Sequence, residues 1–455
     1  MFYTLILSVC LITALLFILT PAFTNNKGFY QGHSRNGAPP SLMTLVFSQV
    51  TTWIFARSLM NAAILGFYYG LWGVLAYATY YLSFLTGGLI VDKLRFSLGY
   101  ADIQSFFNDC YGRYGTICYN FLIVIRLISE IFANLIVIGL IFGVYGSQTY
   151  FTAIALLSVI VLFYSMKGGL SAALKTDLVQ MSLFLIMLAV LSISMLINQH
   201  FDAAVIFNFS FHFSQPGPIL LFVALLQVWS YPLHDPVMMD RGFLADRKTT
   251  QRSFYHAAWI SILCIISFGL LGVFAGSNAV ADESLNQALS RLLGPETFWV
   301  LNAALIISAM STLDSSLASA AKLLVINMRI CRPSINNGRW VMFIFMLAAL
   351  AFIVYGDRDL FSAVAVSGTA SLFLVPVIFF NLFAGRRDIP LWSFLASFLI
   401  AIIGAALYFT ESSSYSSLLG EVHKYTKLLY ICLIVIGSSM TLFYVGGLSR
   451  QIIKR

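Results

Sequence analysis

Small hydroxyl side chains and one carboxylate gather in the stretch Leu305 to Lys322, LIISAMSTLDSSLASAAK, inside a long apolar run. Ser308, Ser311, Thr312, Ser315 and Ser319 fall at i, i+3, i+4, i+7 and i+11, which sets their hydroxyls along one stripe of a helix. Such hydroxyls, with Asp314 in a low-dielectric surround, are hard oxygen ligands for a small cation. The stripe also fits a helix packed through small residues whose hydroxyls bond back to their own backbone. Asp314 favours the cation reading, because an ionisable group inside a membrane helix is costly without a partner.

Two other apolar runs are interrupted by polar residues. The first carries Ser48, Gln49, Thr51 and Thr52. The second carries Tyr231, Pro232, His234, Asp235 and Pro236, and two prolines so close together stop a helix. Paired interrupted helices in corresponding positions of two halves point to a transporter's binding site. Unwound backbone there frees carbonyls for cations and half-helix N-termini for anions.

The elements that position these residues are membrane helices. Of the 455 residues, 60% are hydrophobic and only 10% charged, and the mean hydropathy is +0.88. A soluble domain carries nearer one quarter charged residues. A span needs about 20 apolar residues, and about thirteen such segments can be counted. They centre on residues 4–23, 43–66, 71–90, 117–144, 150–166, 174–197, 217–239, 255–274, 297–328, 340–354, 361–383, 391–409 and 428–445. Residues 100–114 and 282–293 read as short amphipathic surface stretches. The first segment has no basic residue before it and reads as a retained helix rather than a signal peptide.

The net charge of +8 is explained by topology rather than by nucleic acid, since Lys and Arg collect on the cytoplasmic side. With the N-terminus outside, the expected inside loops hold Lys27 and Arg35; Lys93, Arg95 and Arg113; Lys167 and Lys175; Arg241, Arg247, Lys248 and Arg252; Lys322, Arg329, Arg332 and Arg339; Arg386 and Arg387; and Arg450, Lys454 and Arg455. The outside loops hold only Arg291, Arg358, Lys424 and Lys427. The expected topology is N-terminus out and C-terminus in. The interrupted runs are an odd number of spans apart, so the two halves are expected to be inverted in the membrane. The six cysteines are scattered, with no metal or disulfide spacing.

Residues Lys167 to Gln180, KGGLSAALKTDLVQ, resemble the GGL-x-A-x-x-x-TD-x-x-Q signature of the sodium:solute symporter family. Met310 to Ser315, MSTLDS, resembles the eighth core helix of that family. Asp240 to Ala245, DRGFLA, resembles its Q-R-x-L-A segment, with Asp240 in place of Gln and one extra residue before the Leu. The resemblance covers residues 43–383 and points to the proline-permease-like branch. It implies an all-α, LeuT-type fold with a 5+5 inverted repeat: an extra helix and loop (1–42), core helices 1–5 (43–198), core helices 6–10 (199–385), and two extra helices with a short tail (386–455). It implies a symporter that imports a small polar solute with sodium by alternating access, in the bacterial cytoplasmic membrane.

By motif position, the main sodium site would take the side chains of Ser311 and Thr312 and the carbonyls of Ser308, Phe47 and Val50, the last two at the break in helix 1. Some relatives bind a second sodium, at positions that fall on Asp177, Asp314 and Ser315. The solute pocket would draw on Gln49, Thr51, Thr52, Trp53, Tyr231, His234 and Asp235. Tyr231 falls where sugar-transporting relatives place a gating Tyr, though an ordinary buried aromatic fits too. Asp235 would meet a substrate amine or a proton, or else cap a half-helix. Arg126 either pairs with Glu130 at i, i+4 or, as in a carboxylate-transporting relative, grips the substrate. Arg57, one or two turns past the break, is open between substrate and structural roles. Arg and Asp near the pocket hint at a carboxylate or amino-acid solute.

The competing readings are a proton-coupled transporter in which Asp177, Asp314 or Asp235 titrates, and a solute sensor with a separate signalling partner, a fused kinase being absent from the chain. No nucleophile elbow, phosphate loop or His/Cys cluster speaks for an enzyme. The expected partners are the solute, sodium and the bilayer, with no obligate protein partner.

Overall fold

Glycine and proline divide the apolar runs into the limbs that the fold assembles. A computed structural model describes residues 2–20, 25–34, 36–206, 211–355, 360–413 and 418–453, all in helices, turns or loops. Arg35, Arg358, Lys454 and Arg455 of the charge pattern lie outside the described residues.

In chain order the helices are α1 (Phe2–Leu19), α2 (Asn26–Gln31), α3 (Leu42–Trp53), α4 (Ala56–Thr79), α5 (Ser83–Val91), α6 (Ile103–Phe142), α7 (Gln148–Leu196), α8 (Ala203–Ile206) and α9 (Pro216–Gln227). They continue as α10 (Tyr231–His234), α11 (Pro236–Gly242), α12 (Arg247–Ser277), α13 (Leu285–Lys322), α14 (Ile335–Tyr355), α15 (Leu360–Ala370), α16 (Leu374–Pro376), α17 (Leu391–Ser412) and α18 (Lys424–Ile453). π-helical turns extend α5 through residues Asp92–Ser97, α13 through Leu323–Asn327 and α16 through Val377–Phe383.

Eight continuous helical segments among the described residues are long and apolar enough to cross a membrane. Large apolar side chains such as Leu89, Ile125, Ile186, Ile193, Leu399 and Ile434 stand exposed along these helices, as an integral membrane protein requires. Four of the segments bend at a glycine: Gly70, Gly112, Gly169 and Gly294. At 1.5 Å per residue, a straight α7 would span about 74 Å, more than twice the hydrocarbon thickness. It turns instead at Gly169 (φ 56°, ψ −138°), a conformation closed to residues with a Cβ. A Cβ there would also meet the carbonyl oxygen and ring of Phe29 from α2. The glycine pair of KGGL is thus the corner between two limbs, and runs expected as separate helices with a loop at Lys167–Ala173 form one bent helix.

Two expectations are corrected. The interruption of the first core run lies at Ile54 and Phe55, where α3 ends and α4 begins, and not among Ser48–Thr52, which are helical. The run 361–383, expected as one helix, breaks at Ser371–Phe373. The second interruption is where the prolines put it: α9 ends at Gln227, and α10 and α11 meet at Asp235. Packing then joins the early and late helices. α4 lies along α12, α7 along α13, and α3 between α7 and α12.

Candidate functional site

Asp177, on the second limb of α7, is completely buried. Its Oδ1 accepts from the Ser311 hydroxyl at 2.5 Å, and its Oδ2 from Ser48 at 2.5 Å and from Ser315 at 3.3 Å. α3, α7 and α13 therefore meet through one carboxylate and three hydroxyls. The cluster already contains a cation. Arg241 from α11, also fully buried, has Nη2 3.6 Å from Asp177 Oδ2. It donates from Nε to Ser48 at 3.0 Å, from Nη2 to Ser315 at 2.7 Å and from Nη1 to the Val237 carbonyl at 3.2 Å. A buried carboxylate is kept only with such a partner. Arg241, expected in a cytoplasmic loop, is a core residue; its place in the D-R-G-F-L-A segment was the available signal.

The remaining expected cation ligands sit one helical turn away. Ser308 donates its hydroxyl to the Ile54 carbonyl at the break, and its own carbonyl accepts from Thr312 Oγ1 at 3.2 Å. The carbonyl of Val50 is engaged by Ile54 N–H at 2.9 Å, and that of Phe47 belongs to the helical body of α3. The carbonyls freed from the helix at the break are those of Trp53 and Ile54, which accept from the Tyr81 and Ser308 hydroxyls. Asp314 does not join Asp177 and Ser315. Its Oδ2 accepts from Thr176 at 2.8 Å, and its buried Oδ1 has no hydrogen-bond partner. Lys322, considered as a partner for Asp314, pairs with Asp240 at 2.7 Å.

The second half of the site is a small cavity of about 30 Å³, roughly the share of one water molecule. Trp53, Phe55, Arg57, Ser58, Tyr77, Tyr80, Tyr81, Arg126, Tyr231 and Ser367 line it. Trp53, Arg126 and Tyr231 were expected there. Gln49, Thr51, Thr52, His234 and Asp235 are not in its wall. Thr52 turns its hydroxyl to the Ser48 and Gln49 carbonyls of its own helix, at 2.8 and 3.2 Å. His234 shares a hydrogen bond with Ser367 at 3.2 Å.

Asp235 caps a half-helix, one of the roles open to it, and also makes an ion pair that the sequence did not suggest. Its Oδ1 caps α11 through Met238 N–H at 2.8 Å, and its Oδ2 pairs with Arg126 at 3.1 Å. Arg126 also pairs with Glu130 at 2.7 Å, so two carboxylates compensate its charge. Tyr231 packs edge-on against Trp53 and Tyr80, at 5.9 and 5.5 Å between centroids. The aromatic wall from Tyr77, Tyr80 and Tyr81 was missed because nothing in a run of tyrosines within an apolar helix separates lining from core. A larger, mainly apolar cavity of about 570 Å³ shares Arg126 and Ser367 with the first.

No protein family model and no curated protein matches the sequence. Solved structures do match in fold. A Na+-coupled sialic acid symporter, in a substrate-bound outward-open state, superposes with a TM-score of 0.72 at 12% identity, covering 99% of this chain and 97% of that one. A nucleobase-cation-symport-1 family transporter, in a closed conformation with bromovinylhydantoin bound, gives 0.56 at 12% identity, covering 94% and 95%. A manganese transporter from Eremococcus coleocola gives 0.54 at 16% identity, covering 91% and 94%. The broken helices, the bent long helices and the buried cluster between them belong to a chain with the LeuT-like helical fold of these transporters.

Proposed function

We propose that the protein is a sodium-coupled secondary active transporter that imports a small solute by alternating access, a member of the sodium:solute symporter family in its working parts. One observation carries the reading: hard oxygens from the helix break (Ile54 carbonyl) and from α13 (Ser308, Ser311, Thr312) lie together beside the Asp177 cluster. A cation held there would bridge two elements that must move relative to each other, so its binding is linked to their arrangement. The donors suit sodium rather than a transition metal; among the described residues no three His, Cys, Asp or Glu side chains come together. The Na+-coupled and cation-coupled neighbours support the same class.

Uptake into proteoliposomes under an inward sodium gradient tests this. Ser311→Ala and Thr312→Ala should each raise the sodium concentration for half-maximal uptake more than tenfold, the cost of losing one ligand of roughly 1.4 kcal/mol or more. Sodium dependence that survives both substitutions rejects the site.

Proton coupling is favoured by one observation, the buried Asp314 oxygen without a partner. Uptake driven by a pH gradient in sodium-free buffer and abolished by Asp314→Asn would establish that reading instead.

A further inference from the structure

We propose that Arg57 is the anchor for the carboxylate of the transported solute, and that this solute is a small monocarboxylate with an apolar or aromatic body. The proposal rests on the transport reading above and adds to it the chemistry of the cargo.

Arg57 is 2% exposed, yet no carboxylate pairs with it among the described residues, and its Nε has no hydrogen-bond partner. The Phe55 ring lies against it, with its centroid 5.0 Å from the guanidinium carbon, and the carboxylate that acts on it from across the core, Glu130, is already paired with Arg126. An uncompensated buried guanidinium is costly. Arg126 and Arg241, the other two arginines buried in the core, have their counter-charges. Arg57 lines the cavity beside Arg126 but, unlike Arg126, has no ion pair there, so a solute can supply the missing charge.

The other groups around the cavity point to the same occupant. The buried polar atoms left without a partner on its lining residues are Trp53 Nε1, Arg57 Nε and Arg126 Nε. All three are N–H donors, so the complement is an acceptor. α4 starts at Ala56 with no side-chain cap on Phe55, so its first N–H groups and its positive dipole end lie beside Phe55, Arg57 and Ser58 in the wall. Three of the four tyrosine hydroxyls in the wall are already used. Tyr77 donates to Ser58 at 3.2 Å, Tyr80 to Gln227 at 2.9 Å and Tyr81 to the Trp53 carbonyl at 2.8 Å. What they present to the cavity is ring surface, suited to an apolar or aromatic body. Room for that body comes if the walls part at Arg126 and Ser367, which also border the 570 Å³ apolar cavity.

The test uses the full-length protein in detergent and in proteoliposomes, with benzoate and propionate as probes, benzamide and propionamide as uncharged isosteres, and glucose as a polyol. At saturating sodium, a carboxylate should raise the unfolding temperature and be accumulated, and its amide should do neither. Arg57→Gln should weaken carboxylate binding on the order of 100-fold, and Arg57→Lys by less. A second readout does not depend on finding the right probe: without solute, Arg57→Gln should unfold at a higher temperature than the unsubstituted protein, because an unpaired buried charge is removed. A structural arginine would give the opposite sign. Equal responses to acid and amide, accumulation of glucose alone, or lower stability of Arg57→Gln overturns the anchor while leaving sodium-driven transport standing. Loss of the sodium response in the unsubstituted protein overturns the transport reading instead.

Discussion

Two polar regions lie in the apolar core of this protein, and they are built on opposite principles. Around Asp177 the polar groups answer one another: three hydroxyls donate to the carboxylate, and Arg241 closes the set. Around the aromatic cavity they do so only in part: Arg126 has Glu130 and Asp235, but among the described residues Trp53 Nε1 and the Nε atoms of Arg57 and Arg126 have no hydrogen-bond partner. A closed network ties α3, α7, α11 and α13 together and gains nothing from a visitor until a cation competes with Arg241 for oxygens. An open one stores an unmet demand for acceptors, which makes it dependent on its ligand. The difference teaches that burial of charge marks a structural joint in one place and, in the proposal above, an anchor for a solute in the other, and that the presence or absence of a counter-charge separates the two.

The comparison is broken or sharpened by substitution, and the largest effect is expected at the joint. Arg241→Ala leaves Asp177 buried without its cation and should destabilise the protein by about 3–5 kcal/mol. Adding Asp177→Asn in the same chain should recover a large part of that loss, as measured by a double-mutant cycle of unfolding. An Arg241→Ala protein as stable as the starting one would mean that the joint is as open as the cavity.

Next in size is Gly169→Ala. The alanine backbone must keep a positive φ and its Cβ meets Phe29, so a loss of roughly 1–3 kcal/mol is expected. Sodium affinity should fall with it, because the limb that carries Asp177 starts at this corner. Unchanged sodium affinity would show that the corner serves only packing.

A smaller effect is expected for Asp235→Asn. Arg126 keeps Glu130 at 2.7 Å, and Asn still caps α11. The loss should be about 1–2 kcal/mol, the scale of one charged hydrogen bond, with solute selectivity retained. A switch of selectivity would move Asp235 from the support of Arg126 into the solute site.

The smallest effect is expected outside both regions. N–H donors of Arg291 and the Val280 amide hold the Glu283 carboxyl down at about 2. A depressed acid contributes stability above its unfolded value and loses it only as the pH falls through the folded one. The pair should therefore stay intact down to about pH 4–5 and open toward pH 2. Arg291→Ala should return the carboxyl toward its ordinary range in a proton titration, with no measurable change in unfolding temperature, since exposed pairs contribute little.

Much of the architecture was legible because its causes are local. Apolar run length marks the membrane helices, and the Pro232/Pro236 pair marks the break that ends at Asp235. The α13 stripe was legible as a stripe. The break at Ile54–Phe55 was not, because it contains neither proline nor glycine and is held by contacts from elsewhere, the Ser308 and Tyr81 hydroxyls on the Ile54 and Trp53 carbonyls. Nor was the role of Arg241, which as a residue near a helix end looked like an ordinary cytoplasmic charge.

By itself, then, the sequence determined that this is an all-helical membrane chain with a hydroxyl stripe on one long helix and polar interruptions in two others. Those properties follow from hydropathy, spacing and backbone sterics, which act over a few residues. Which way each hydroxyl turns was decided only by tertiary structure. Ser311 and Ser315 reach Asp177, Ser319 reaches Asp240 at 2.7 Å, and Thr312 folds back on its own helix. The same holds for the three buried arginines, which are distinguished by which carboxylates the fold brings within reach. In a low-dielectric interior the energy of a charge is set by its neighbours within a few ångströms, and those neighbours can come from a distant helix, as Asp235 does for Arg126 from 109 residues away.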